Sequence, residues 1–123
     1  MKLLQLSSCL FSTLSIHAYY ARNPFYHHIF LIITMLSILN HQEYNSMIKM
    51  IDIFVAHYAY FQINISDAPL VIRKNPIMAI PTIIIPLLYW CEFVYPYYDV
   101  EIHFIVHCLM VATLHSYLYL IEN

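Results

Sequence analysis

Two histidines lie four residues apart near the start of the last apolar segment, in residues 101–107, EIHFIVH. On an α-helix, positions four apart project from one face, so the imidazoles of His103 and His107 can reach one metal ion. The spacing alone is a weak signal, because the chain contains eight histidines in 123 residues. Any third ligand has to come from another segment of the chain.

The second and third apolar segments supply further candidates. Ser37 and His41 lie four residues apart, and Asp52 follows His41 after eleven residues. Ionisable groups within a membrane segment cost about 2.5–3.5 kcal/mol at its centre, so they usually face a bundle interior. Three neutral histidines form a tetrahedral zinc site with one position for water, whose pKa falls to about 7. Asp52 is then the candidate general base, and Ser37 a hydrogen-bonding partner of the carboxylate or the oxyanion.

The composition restricts the class of protein that can carry such a site. The chain is 62% hydrophobic and 10% charged, and it contains no glycine. A water-soluble domain of this size cannot bury so much apolar surface in one core. We therefore expect an all-α, multi-pass transmembrane helix bundle with residues 1–123 in a single domain. The net charge of −2 gives no indication of a nucleic-acid partner.

About five apolar segments are expected to form the spans. They cover residues 3–20, 28–40, 47–63, 77–95 and 102–121, and the polar stretches between them, read as loops, are 22–24, 42–45, 66–69 with 73–76, and 96–99. The second segment is short for a span, so we expect it to extend towards Tyr26 or His41. The fourth contains Pro81 and Pro86, whose freed carbonyl groups neighbouring helices have to satisfy.

The order of the segments provides an independent check on the site. The second segment ends at the membrane face where the third begins; the third crosses, the fourth returns, and the fifth begins at that same face. The candidates from all three segments are therefore predicted to lie at one membrane level. Lys2 and Lys49 are predicted to lie at the same membrane face as these candidates. Arg22, Arg73 and Lys74 are predicted to lie at the opposite face. The larger number on the other side favours an N-terminus outside the cytoplasm.

The first segment is expected to be a retained span. Its start resembles a signal peptide, but a cut after Ala18 needs a small residue at position 16, where the chain has Ile16. The other histidines are predicted to lie outside the site: His17, His27, His28, His57 and His115.

The pattern Ser-x3-His, then Asp, then a late His-x3-His resembles the CREST superfamily of membrane hydrolases. That superfamily includes alkaline ceramidases, Per1-like lipid remodelling proteins, and the progestin and adipoQ receptors. The eleven-residue step from His41 to Asp52 looks most like the ceramidase and Per1 branches. The resemblance implies zinc on His41, His103 and His107, with Ser37 and Asp52 beside the zinc-bound water.

The resemblance also implies a function and a location. Ceramidase-like relatives hydrolyse a lipid amide bond, so a membrane lipid is the expected substrate, and the endoplasmic reticulum or Golgi the expected membrane. This chain departs from the family pattern in three respects, one of which is the absence of the glycines common in the family's last helix. The chain also has about five apolar segments where the family has seven helices, and Val106 stands where a tryptophan often precedes the final histidine.

Each candidate also has a purely structural interpretation. His103 and His107 could be interfacial groups bonded to water and headgroups. Asp52 could pair with the lysine three residues earlier, and Ser37 could bond back to the carbonyl four residues earlier. The alternative function is then a small non-enzymatic multi-pass membrane protein, a degenerate relative acting through helix–helix contacts.

Overall fold

The computed structural model describes residues 2–42 and 45–122, and this part of the chain is all-helical, with no β-strand. The helices are α1 (Lys2–Cys9), α2 (Phe11–Tyr20), α3 (Pro24–Gln42), α4 (Ser46–Ser66), α5 (Ala68–Lys74), α6 (Ala79–Val94) and α7 (Asp99–Glu122). Short 3₁₀ turns, Pro76–Met78 and Pro96–Tyr98, precede α6 and α7. The predicted all-α class is confirmed. Two residues of the predicted loop 42–45, Glu43 and Tyr44, lie outside the described residues.

Asparagine side chains determine where the two central helices begin. The Asn23 side chain accepts a hydrogen bond from the backbone N–H of Tyr26 at 3.2 Å, and Pro24 occupies the first helical position of α3. Asn45 does the same for α4, accepting from two backbone N–H groups of its first turn. The resulting α3 extends past both ends of the predicted span, to Pro24 and Gln42, so the expected extension is confirmed.

Two predicted boundaries are wrong. The first segment is divided at Leu10 into α1 and α2. The stretch read as polar loops between residues 66 and 76 contains α5, whose Ala68 and Val71 are buried. Pro69 stands in the first turn of α5, where its missing N–H costs no helical hydrogen bond. A seven-residue helix is too short to show a clear apolar period, and its packing decides its structure.

The proline inside α6 is compensated by a neighbouring helix. Pro86 removes the backbone donor that would bond the carbonyl of Thr82 four residues earlier. The Tyr60 hydroxyl of α4 donates to this carbonyl oxygen. The Thr82 hydroxyl lies 2.6 Å from the Tyr117 hydroxyl of α7. These bonds join α4, α6 and α7 at one level. The Tyr60 bond satisfies the carbonyl freed by Pro86, as expected for a proline within a helix bundle.

The core lies where α2, α3 and α7 meet, and parts of α4 and α5 complete it. Its large buried side chains include Phe11, Leu14, Tyr26, Phe30 and Tyr117. Two segments of the described chain, Pro76–Val94 and Pro96–Glu122, are long and apolar enough to cross a membrane. The first of these keeps most of its apolar side chains exposed, including Ile83 and Trp90.

Candidate metal centre

Three histidines from two helices converge at one end of the bundle. His41 comes from the last turn of α3, and His103 and His107 come from the first turns of α7. One nitrogen of each ring lies within 4.8 Å of the corresponding nitrogens of the other two. The ring centroids are 4.3 Å apart for His103 and His107, 5.1 Å for His41 and His103, and 5.7 Å for His41 and His107. Nitrogens that share one zinc ion lie within about 4 Å of one another, so a group within 4.8 Å converges on one region of the site.

His41 carries the clearest sign of an absent partner. The residue is 9% exposed, and its Nε2 atom is buried without any hydrogen-bond partner. Leaving a buried polar atom unpaired costs about 1–3 kcal/mol. A cation bound by the three rings would satisfy this nitrogen, so the residues present fit a metal ion.

The two histidines of α7 are held by their Nδ1 atoms. His107 Nδ1 lies 2.8 Å from the Ser7 hydroxyl oxygen of α1. That hydroxyl donates its only proton to the carbonyl of Leu4 at 3.0 Å, so it accepts from Nδ1–H. His103 Nδ1 lies 2.8 Å from Oε1 of Glu92 on α6, and a carboxylate can only accept. With Nδ1 protonated, each of these two rings keeps a free lone pair on Nε2. The Nε2 atom of His41 is also without a hydrogen-bond partner.

Asp52 lies in the same cavity as the histidines and is 9% exposed. Its Oδ2 atom accepts a hydrogen bond from the Asn40 side chain of α3 at 3.0 Å. Across the described ranges, the structure records no ion pair between Asp52 and Lys49. The local pairing considered from the sequence is thus not how this carboxylate is stabilised.

Ser37 is also buried beside the histidines, at 2% exposure. Its hydroxyl lies 2.7 Å from the hydroxyl of Ser8 on α1. Since Ser8 donates to the carbonyl of Leu4 at 2.6 Å, Ser37 is the donor to Ser8. The hydroxyl therefore bonds across helices, to neither the Asp52 carboxylate nor the carbonyl of Ile33.

A cavity of about 610 Å³ joins these groups. Its polar lining includes the three histidines together with Ser37, Asn40, Lys49, Asp52, Glu92 and Asp99. Its apolar lining includes Phe30, Ile33, Ala59, Ile63, Met110 and Leu114. The cavity therefore places a metal-binding group at one end of a mainly apolar space between α3, α4, α6 and α7.

Four residues that hydrogen-bond to the site residues were not among the sequence candidates: Ser7, Ser8, Asn40 and Glu92. Glu92 had a recognisable signal, because it is the only charged residue in segment 77–95 and ionisable residues within membrane segments usually mark functional positions. Ser7 and Ser8 had none, because the sequence offers several serines in the first segment. Only the packing of α1 distinguishes them.

The other histidines lie apart from this group, as predicted. Among the residues that the structure covers, the one cluster of possible metal ligands consists of His41, His103 and His107. His57 bonds to the carbonyl of Ile53 in its own helix at 2.8 Å. His17 and His115 pair with each other through Nδ1 atoms 2.8 Å apart.

Fold and site together define an all-helical protein with two potential membrane-spanning segments and a three-histidine group that could hold a metal ion. No protein-family model, curated protein or solved structure gives a significant match to the chain. The function is therefore inferred from the chemistry of the site itself.

Proposed function

We propose that this protein is a zinc-dependent membrane hydrolase of ceramidase-like type, which cleaves a lipid amide or a related lipid bond. One observation carries the proposal. The unpaired, buried Nε2 of His41 lies in a group with His103 and His107, whose Nδ1 atoms are already bonded elsewhere. The order of the site residues along the chain, which resembles the CREST pattern, supports the same conclusion.

The charges around the histidines favour a divalent cation. The three imidazoles offer nitrogen ligands, while Asp52, Glu92 and Asp99 bring three carboxylates and Lys49 one ammonium group to the same cavity. Asp52 is buried and Glu92 is partly buried, so their negative charges are costly without a positive partner, and a +2 ion compensates them. Zinc accepts three histidine nitrogens in a tetrahedral site and keeps one position open. When bound, it supplies Lewis acidity to a water molecule and to the scissile carbonyl group.

Asp52 is the general base in this proposal. Asn40 bonds its Oδ2 atom at 3.0 Å and thereby fixes the orientation of the carboxylate. The Oδ1 atom is left to accept the proton of the attacking water and later to return it to the leaving amine. Ser37 can stabilise a developing oxyanion once its hydroxyl turns from Ser8 into the cavity.

A membrane lipid is the substrate class that suits this cavity. Most of its lining is apolar, and the polar groups are gathered at one end. The exposed faces of α4 and α6 are rich in large apolar side chains, among them Met50, Phe54, Ile83, Leu87 and Trp90. We propose that the protein is multi-pass, with about five spans, and the resemblance favours the endoplasmic reticulum or Golgi membrane.

Metal analysis of the purified chain in detergent tests the proposal. We expect about one zinc per chain, retained through size-exclusion chromatography, and loss of zinc in His41→Ala and His103→Ala. His57→Ala is the matched control, because its ring bonds within its own helix, and it should keep its zinc. Release of fatty acid from a panel of lipid amides then tests catalysis.

The alternative, a non-enzymatic membrane protein, makes the opposite prediction. A chain that is folded by circular dichroism, holds no metal after zinc supplementation, and is unaffected by His41→Ala would support it and refute the hydrolase.

A further inference from the structure

Two helices that supply no metal ligand hold the histidines of α7 from different sides. Ser7 of α1 bonds His107, and Glu92 of α6 bonds His103, each at 2.8 Å. Ser7 is fully buried, and the side chains of His103 and Glu92 are only 20% and 14% exposed. These bonds are therefore shielded from the water that would compete for them.

The Ser7 contact fixes which nitrogen of His107 can bind a metal. An imidazole without a partner exchanges its proton between Nδ1 and Nε2. In the observed geometry the Ser7 hydroxyl donates to the Leu4 carbonyl at 3.0 Å, so it accepts from the ring. The proton is thus held on Nδ1, and the lone pair stays on Nε2. The edge contact with Phe11, at a centroid distance of 5.1 Å, further restricts rotation of the ring.

The Glu92 contact does the same for His103 and adds a charge. A charged acceptor forms a hydrogen bond roughly twice as strong as a neutral one. A carboxylate bonded to a ligand histidine also makes its other nitrogen a better donor to the metal. Glu92 thus orients His103, increases its basicity and compensates part of the charge of a bound cation.

We propose that Ser7 and Glu92 are positioning residues of the metal centre, so that α1 and α6 complete a site whose ligands lie on α3 and α7. This inference rests on the proposed function only in requiring that a divalent metal binds. It assigns to both residues a contribution to metal affinity that acts through the tautomer and orientation of His107 and His103.

The test is a zinc competition titration of the full-length protein in detergent micelles, with a chromophoric chelator of known affinity. Ser7→Ala and Glu92→Gln are each expected to weaken zinc binding about 10- to 100-fold. Ser12→Ala is the control for serine, because Ser12 makes a similar bond to a carbonyl in its own chain segment and contacts no histidine. Glu101→Gln is the control for charge, because Glu101 is exposed on α7. Both controls should bind zinc like the unchanged protein.

Two spectroscopic measurements separate positioning from general stability. In the cobalt-substituted protein, Glu92→Gln should shift the visible absorption bands, while far-UV circular dichroism stays unchanged. In the metal-free protein, ¹⁵N NMR of the histidine rings should show Nδ1–H for His103 and His107. Each ring should become a mixture of tautomers in its own variant. Ser7→Thr, which keeps the hydroxyl, should restore both affinity and tautomer.

The outcomes distinguish this inference from the function on which it rests. If the unchanged, folded protein binds no zinc, the proposed function fails. If the unchanged protein binds zinc and Ser7→Ala and Glu92→Gln bind it equally well, the metal centre stands and the positioning roles are refuted. If a variant loses its fold, the ¹⁵N spectrum of the unchanged protein decides, since protonation of His107 at Nε2 would contradict the inference.

Discussion

Tyr60→Phe tests how α6 accommodates a proline within its length. The substitution removes the hydroxyl that donates to the carbonyl of Thr82, which Pro86 has deprived of its helical partner. Leaving a buried carbonyl without a donor costs about 1–3 kcal/mol, and this partly buried carbonyl is expected to lie at the lower end of that range. We expect Tyr60→Phe to lower the free energy of unfolding by about that amount, because the ring itself is kept.

A double-mutant cycle isolates the cause. Pro86→Ala restores the backbone N–H that can bond the Thr82 carbonyl, so Tyr60→Phe should cost less in that background. The assay is equilibrium unfolding by denaturant in detergent micelles, followed by circular dichroism. Tyr58→Phe is the control, since Tyr58 lies on α4 and is 52% exposed. Equal losses from Tyr60→Phe in both backgrounds would refute the reasoning.

Three further predictions follow from individual contacts. Asp52→Asn should keep the zinc but lower hydrolysis of a lipid amide by about 10²- to 10⁴-fold, measured as released fatty acid, because the amide cannot act as a base. Tyr26→Phe should destabilise the protein by about 1.5–3 kcal/mol in denaturant unfolding, because it removes a hydrogen bond to the Asp67 carboxylate at 2.8 Å. His115→Ala should leave the zinc content of the purified protein unchanged, since His115 pairs with His17 and belongs to another part of the bundle; loss of zinc would contradict its placement.

The helices could be predicted from the sequence where apolar runs are long. The runs that became α3, α4, α6 and α7 have the length of a membrane segment or nearly so, and caps such as Asn23 and Asn45 define their starts. The seven residues of α5 have no such signal, because tertiary contacts of Ala68 and Val71 decide their helical state. The division of the first segment into α1 and α2 at Leu10 had no sequence signal either, because it lies within an apolar run.

The ligand group could be predicted because two kinds of information coincide. Spacing places His103 with His107 and Ser37 with His41, and the order of segments predicts that both pairs lie at one level. The groups that hold these rings could not be predicted in the same way. Ser7 bonds a residue 100 positions away, and that contact depends on how α1 packs against α7.

X-ray absorption spectroscopy at the zinc edge tests the central claim most directly. The purified, full-length protein is predicted to hold one zinc bound by imidazole nitrogens of His41, His103 and His107 at about 2.0–2.1 Å, with one oxygen ligand from water. His41→Ala should remove one imidazole from the coordination shell or release the metal. A folded protein without bound zinc, or a zinc whose shell contains no imidazole, would contradict the account.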